Sequence, residues 1–185
     1  MSNRHAREGR TLSRQDLDFF PTPPRATAAL LEREAFPGLI WECACGDGAM
    51  ARVIEAAGHQ VVATDLVDRG YGKAGVDFLM EYRLPDRCES IVTNPPFRLA
   101  TQFVEHALDL GARKVAMLCR VAFLEGQERG GGIHRRLSRV WVFSSRITMM
   151  HGSLGAPTDD ARGAMAFAWF VWERHHSGPH LGFIA

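Results

Sequence analysis

One stretch limits the folds open to this chain more than any other. Leu39-Ile40-Trp41-Glu42-Cys43 is a short apolar run, Gly46-Asp47-Gly48 breaks it, and Ala49 to Ala57 has helical spacing that stops at Gly58. A buried strand that turns through glycines directly into a helix is the start of a βαβ unit, and the units that follow keep the pattern. Gln60 to Thr64 reads as a second strand ending at Asp65, Val76-Asp77-Phe78 as a short third, and Ser90 to Thr93 as a fourth ending at Asn94-Pro95-Pro96-Phe97. Leu99 to Leu110 has helical spacing up to Gly111, and Lys114 to Cys119 is a fifth strand. The last third differs. Arg139 to Phe143 and Ala164 to Trp172 read as an antiparallel pair, and the second is apolar in both alternating sets, as a strand inside a sheet must be. With 185 residues, 46% of them hydrophobic and 23% charged, the chain can build one ordinary globular core without staples.

Charge and cysteines narrow the setting. The net charge is +1, so a strongly basic nucleic-acid binder is not the reading composition alone favours. Residues 1–15 carry Arg4, Arg7, Arg10 and Arg14 and almost nothing apolar, and are expected to be a flexible basic arm ahead of one domain over 16–185. No apolar run approaches the roughly 18 residues of a membrane span, and the Arg-rich start lacks the apolar core of a secretory signal. Cys43, Cys45, Cys88 and Cys119 fit no common zinc spacing, so they are expected to be reduced, mostly buried thiols in a cytoplasmic protein, with no metal.

The glycine turn has the context of a nucleotide site: strand before, helix after, glycines that let backbone approach a ligand, and free N–H groups at the helix start. Asp65, at the end of the next strand, can accept hydrogen bonds from ribose hydroxyls. This much suits a dinucleotide as well as S-adenosylmethionine. Glu42, four residues before Gly46, separates them. A carboxylate there repels a pyrophosphate and suits a cationic amino acid moiety.

Asn94-Pro95-Pro96-Phe97 separates them further. It follows a strand at its carboxyl end, the rim where open α/β sheets bind ligands. Two prolines fix φ near −65° and hold the Asn94 side chain and the Pro95 carbonyl as two rigid acceptors. Such a pair suits a planar amino group. It binds the two N–H bonds, favours a localised lone pair, and stabilises positive charge as the nitrogen is alkylated. Phe97 offers a flat face for an extruded base.

Together these residues resemble the class I S-adenosylmethionine-dependent methyltransferases, and within them the small phage- and prophage-type DNA N6-adenine enzymes. Asp18-Phe19-Phe20-Pro21-Thr22-Pro23-Pro24 is similar to the N-terminal cofactor motif of that group, Glu42 to Gly48 to its glycine motif, Asn94 to Phe97 to its catalytic turn, and Trp169 to Trp172 to its closing strand. The resemblance implies a Rossmann-like α/β fold. Its sheet would be seven-stranded and mostly parallel, with helices on both faces and an antiparallel last strand. It implies that Asn94, Pro95, Pro96 and Phe97 are catalytic. It implies a cofactor site of Asp18, Phe20, Pro21, Thr22, Glu42, Ala44, Gly46, Gly48, Asp65, Leu66, Asp77, Phe78 and Asn94, with Asp77 and Phe78 flanking the cofactor's adenine.

The implied reaction is methyl transfer to adenine N6 in DNA. RNA methyltransferases acting on guanine N2 or adenine N6 and protein glutamine methyltransferases carry similar turns, and remain the alternative. Little chain follows the turn beyond what the sheet needs, so no separate target-recognition domain is expected. Base reading falls to two loops, Glu125 to Leu137 with Arg135-Arg136, and Thr148 to Gly163 with His151, Asp159, Asp160 and Arg162. From Gly111 to His151 eight basic residues face two acidic ones, a local charge expected near the catalytic rim and sufficient for a nucleic-acid backbone.

Overall fold

The computed structural model describes residues 19–126, 132–147, 149, 165–176 and 178–185. The basic arm, Asp18, Arg129 and nearly all of the Thr148–Gly163 loop lie outside the described residues.

Strands β1 (Leu39–Glu42), β2 (Val61–Ala63), β3 (Cys88–Thr93), β4 (Lys114–Arg120), β5 (Leu137–Phe143), β6 (Phe167–Glu173) and β7 (His180–Ile184) form one sheet in the order β2-β1-β3-β4-β6-β5-β7. β1 pairs in parallel with β2 and β3, β3 with β4, and β5 with β7, while β6 is antiparallel to both neighbours. Every strand but β6 therefore points the same way, and the carboxyl ends of β1, β3 and β4 share one rim.

The seven strands are not quite the seven the sequence predicts. Val76-Asp77-Phe78 does not pair. The Asp77 carboxylate accepts the Leu79 N–H at 3.1 Å and closes a 3₁₀ turn over Phe78–Met80 instead. The count is restored by β7, which runs parallel to β5 at the opposite edge. The reversed strand is thus the sixth in chain order, threaded between β4 and β5 as expected for the segment ending at Trp172.

Helix α1 (Pro24–Leu31), unforeseen in the sequence, starts with proline at its first position, where the missing N–H costs nothing. Helices α2 (Ala49–Ala56) and α3 (Ala100–Asp109) follow the two motif turns. The strand alternation sorts side chains into two layers. Ile40, Val92, Ala116, Leu118, Trp169 and Val171 pack with α1 and α2, through Leu30, Met50 and Ile54. Trp41, Ile91, Met117, Phe170 and Trp172 pack with α3, through Phe103 and Val104.

β6 is buried on both faces, and its two indole N–H groups find carbonyls: Trp169 donates to Ala26 of α1 at 2.8 Å and Trp172 to Ile133 at 2.9 Å. Removing either indole would cost about 3–5 kcal/mol.

At the amino ends of the strands a buried ion cluster closes the sheet. Lys114 Nζ lies 2.6 Å from Glu34, Arg139 pairs with Glu34 through Nε at 2.5 Å and also with Glu173, and Trp141 donates to Glu34 at 2.7 Å. The bonds from Arg139, Lys114 and Trp141 outweigh burial and hold Glu34 below the usual carboxylate range. This corrects the expected basic face. Lys114 and Arg139 belong to the cluster, and Arg113 pairs with Glu89 beside it, so these three cations sit away from the rim. Among the described residues no helix is long and apolar enough to cross a membrane.

Candidate active site

A cavity of about 860 Å³ opens at the carboxyl rim, between the turns that follow β1, β2, β3 and β4. The glycine turn forms its floor. Gly46 (φ +56°) and Gly48 (φ +81°) are left-handed, and a Cβ would come within 2.2 Å of the Phe19 ring at the first and 2.3 Å of the Tyr71 ring at the second. Gly48 then caps α2. Asp65 clasps this turn to the end of β2. Its Oδ2 accepts the Gly46 N–H at 2.8 Å, while Oδ1 accepts the Val67 N–H at 2.8 Å and Arg69 Nη1 at 3.0 Å. A carboxylate oxygen takes about two hydrogen bonds, so Oδ1 is saturated and Oδ2 has room for one more donor.

Glu42, the last residue of β1, faces the cavity wall at 2% exposure. One of its oxygens, Oε2, has no hydrogen-bond partner among the described residues. Burial pushes the carboxyl well above the usual range, against a hydrogen bond from the Ala51 backbone, and the negative charges of Asp65, Asp47 and Glu55 add to the rise. A cation placed beside it would reverse that balance.

The Asn94 amide is set from the opposite wall. Its Nδ2 donates to the Phe20 carbonyl and to Thr22 Oγ1, both at 3.2 Å. Its Oδ1 is buried and has no partner among the described residues. The segment before α1 thus does more than line the cavity. Phe20 and Thr22 orient the amide, and the Phe20 ring stacks on Phe97 at 5.9 Å with 27° between planes. Phe97 also meets Phe167 at 5.7 Å and the Arg120 guanidinium at 4.8 Å, so a base stacking on it must share the ring with these neighbours.

Most of the candidate residues meet in this one cavity. Phe20, Pro21 and Thr22 line it with Asn94, Pro95, Pro96 and Phe97 on the β3 side. Glu42, Ala44, Asp65 and Leu66 line the glycine-turn side, and Asp77 and Phe78 the far end. Gly46 and Gly48 shape the turn without lining the cavity, and Asp18 lies outside the described residues.

The structure adds Arg69 and Phe123, which the sequence reading gives no role, and brings in Phe19 of the N-terminal motif, Cys119, and Arg120 of the basic segment. Arg69 lies over the Phe19 ring at 4.7 Å, so the pair sits against the glycine turn. Arg120 ends β4 on the same rim as Glu42 and Asn94, a position the rim rule alone marks. The four cysteines are buried and form no disulfide among the described residues, and burial raises Cys43 well above its ordinary value, Cys45 to about 12 and Cys88 to about 11. At neutral pH these three are inert thiols.

No protein-family model and no curated protein sequence matches the chain. Solved structures do. A putative RNA methyltransferase from Pyrococcus horikoshii aligns with a TM-score of 0.60 and 12% identity over 90% of this chain and 91% of its own. The E. cuniculi Mtq2–Trm112 complex, which methylates the eRF1 translation termination factor, aligns at 0.53 and 13% over 80% and 92%. Magnesium protoporphyrin IX methyltransferase from Synechocystis, with bound S-adenosylmethionine, aligns at 0.51 and 14% over 80% and 76%. The chain therefore has the Rossmann-like fold of class I methyltransferases. By name these neighbours are directed at RNA, a protein factor and a porphyrin, so the fold leaves the substrate to the site.

Proposed function

We propose that this protein is an S-adenosylmethionine-dependent methyltransferase acting on the N6 amino group of adenine in DNA. The observation that carries the reading is the Asn94 side chain: a buried amide whose nitrogen is held by Phe20 and Thr22 and whose oxygen is unclaimed. Beside it, Pro95 and Pro96 fix the backbone at the end of β3.

The residues present fit the cofactor. Glu42 supplies an uncompensated buried carboxyl for its cationic amino acid end, and the Gly46–Gly48 turn a surface where a Cβ would collide. Asp65 Oδ2 has one acceptor position for a ribose hydroxyl, beside Leu66. Asp77 and Phe78 flank the adenine, and Ala44 lines the path between. When bound, the cofactor would supply an electrophilic sulfonium methyl, with a neutral thioether as the leaving group. Asn94 Oδ1 and the Pro95 carbonyl accept the two N–H bonds of the target amino group, orient its lone pair, and stabilise the positive charge it gains, an electrostatic contribution made in the transition state. The extra proton then passes to water, so no strong base is needed. Phe97 supports the plane of the extruded base, and the Glu125–Leu137 loop, with exposed Arg135 and Arg136, is assigned to DNA contact.

The test is transfer of labelled methyl to DNA, RNA and protein, with base analysis by mass spectrometry and Asn94→Ala as control. N6-methyladenine in DNA that disappears with the variant supports the reading. Label in RNA or protein with none in DNA refutes it in favour of another amino group.

A further inference from the structure

Arg69, Arg98 and Arg120 line the cavity, and Arg120 is a cation there that the proposed chemistry does not use. It ends β4, lines the cavity, and lies 4.8 Å over the Phe97 ring. Its backbone is fixed along β6: Arg120 pairs with Phe167 across β4 and β6, and the Val121 N–H donates to the Ala166 carbonyl at 2.8 Å. Yet its side-chain Nε is buried with no hydrogen-bond partner among the described residues. A buried guanidinium N–H left without an acceptor is costly, more so than a neutral donor, and such groups are nearly always satisfied.

The same cavity holds the opposite deficit, the unclaimed acceptor Asn94 Oδ1. The two side chains are joined through aromatic contacts: Asn94 donates to the Phe20 carbonyl, the Phe20 ring stacks on Phe97, and Arg120 covers Phe97. One rim thus offers an acceptor without a donor and a donor without an acceptor, around one aromatic ring.

We infer that Arg120 is a specificity-determining residue whose Nε–H donates to a ring nitrogen next to the target amino group. This rests on the proposed reading of the site as an amino methyltransferase. Adenine presents the complementary pair, an N6–H donor with an acceptor nitrogen on either flank, N1 or N7. Guanine fails on its Watson–Crick flank, where the 2-amino group adjoins the N1–H donor, and offers an acceptor only at N3 on the other side, so Arg120 discriminates by hydrogen-bond pattern when it reads the Watson–Crick flank. Its planar guanidinium also lies against the ring on which the base stacks, a geometry lysine does not reproduce.

The experiment uses an oligonucleotide carrying the site that the wild-type enzyme methylates, with the target adenine replaced in turn by 1-deazaadenine and 7-deazaadenine. Wild-type kcat/KM should fall by roughly tenfold to a hundredfold with one analogue, the value of a hydrogen bond from a charged donor. Arg120→Ala should lose a similar factor on adenine and lose nothing further with that analogue, because the contact is already gone. Its cofactor affinity, read by calorimetry, should match wild type, and Arg120→Lys should not restore kcat/KM.

Equal wild-type kcat/KM on adenine and both analogues overturns the inference without recourse to any variant. So does an Arg120→Ala loss of equal size on all three substrates, or full recovery by Arg120→Lys, which assign Arg120 to a phosphate or to packing. In each of these cases methyl transfer to adenine itself stands. Wild-type enzyme that methylates no adenine removes the proposed function and this inference together.

Discussion

Replacing Asn94 with alanine tests the site where its geometry is most specific. Two N–H···O bonds at 3.2 Å hold the amide, at the long end of the normal range. Each contributes about 0.5–1.5 kcal/mol, so their loss should destabilise the protein by about 1–3 kcal/mol. At this chain length that lowers Tm by about 2–12 °C, leaving a folded protein at assay temperature. The effect on transfer should be far larger. One preorganised polar contact to developing charge is worth about 10²–10³ in kcat, or about 2.7–4 kcal/mol. The variant should therefore bind cofactor almost normally by calorimetry and turn over at least a hundredfold more slowly in a labelled-methyl assay. Thr22→Val, which removes one of the two ties and leaves Oδ1 in place, should cost about 1 kcal/mol of stability and less than tenfold in kcat. Asn94→Ala turnover within tenfold of wild type would refute the assignment of the amide oxygen to the reacting amino group.

Other substitutions probe the cofactor side. Because burial raises the Glu42 pKa in the folded, ligand-free protein, the folded state holds a proton that the unfolded chain releases, and stability falls as pH rises from the ordinary carboxylate value through the raised one. Glu42→Gln should flatten that part of the Tm–pH curve, giving a Tm advantage that grows with pH, while cofactor affinity drops and its proton release on binding disappears. An unchanged curve excludes Glu42 as the titrating group. Gly46→Ala should be more damaging than Gly58→Ala: both positions have positive φ, but only at Gly46 does a Cβ meet an aromatic ring, whereas nothing lies within 4 Å at Gly58. The expected excess is about 1–3 kcal/mol by denaturant titration, with cofactor binding also weakened; equal costs would mean Phe19 yields freely. Phe97→Ala should raise the substrate KM more than the cofactor Kd, and the opposite order in steady-state and calorimetric measurements would count against base stacking.

The glycine turn and the Asn-Pro-Pro-Phe turn were legible because each couples a period-two apolar run to residues with restricted or unusual backbone freedom. β6 was legible for a different reason: only an interior strand tolerates Phe167 to Trp172 apolar on both sides. The misread third strand shows the limit of short runs. Val76-Asp77-Phe78 alternates well enough, but Asp77 caps the following turn with its own side chain, and no periodicity reports that. The sequence signal of α1 is short, a proline followed by an alanine-rich stretch. β7 has weak alternation and leaves Leu181 and Phe183 exposed, so its hydrophobic pattern does not declare a buried face. The basic segment misled because charge density along the chain ignores direction: Arg113, Lys114 and Arg139 are close in sequence to Arg120 but sit at the other end of the strands, satisfied by Glu34, Glu89 and Glu173. The role of Phe20 and Thr22 in orienting Asn94 joins residues more than seventy positions apart and leaves no local trace.

The placement of β6 has a consequence for how the protein is made. Every strand that carries a candidate site residue is synthesised before residue 121, yet β4 keeps an unpaired apolar edge until Phe167–Glu173 arrives to cover it. A nascent chain therefore displays Val115, Met117 and Cys119, with the finished glycine and proline turns, beside a sheet edge open to any other extended segment. β5 pairs only with β6 and β7, both later in the chain, so it cannot join the sheet until β6 fills the place beside β4. Truncation before Phe167 should leave a fragment with that edge open to association in place of a smaller folded module.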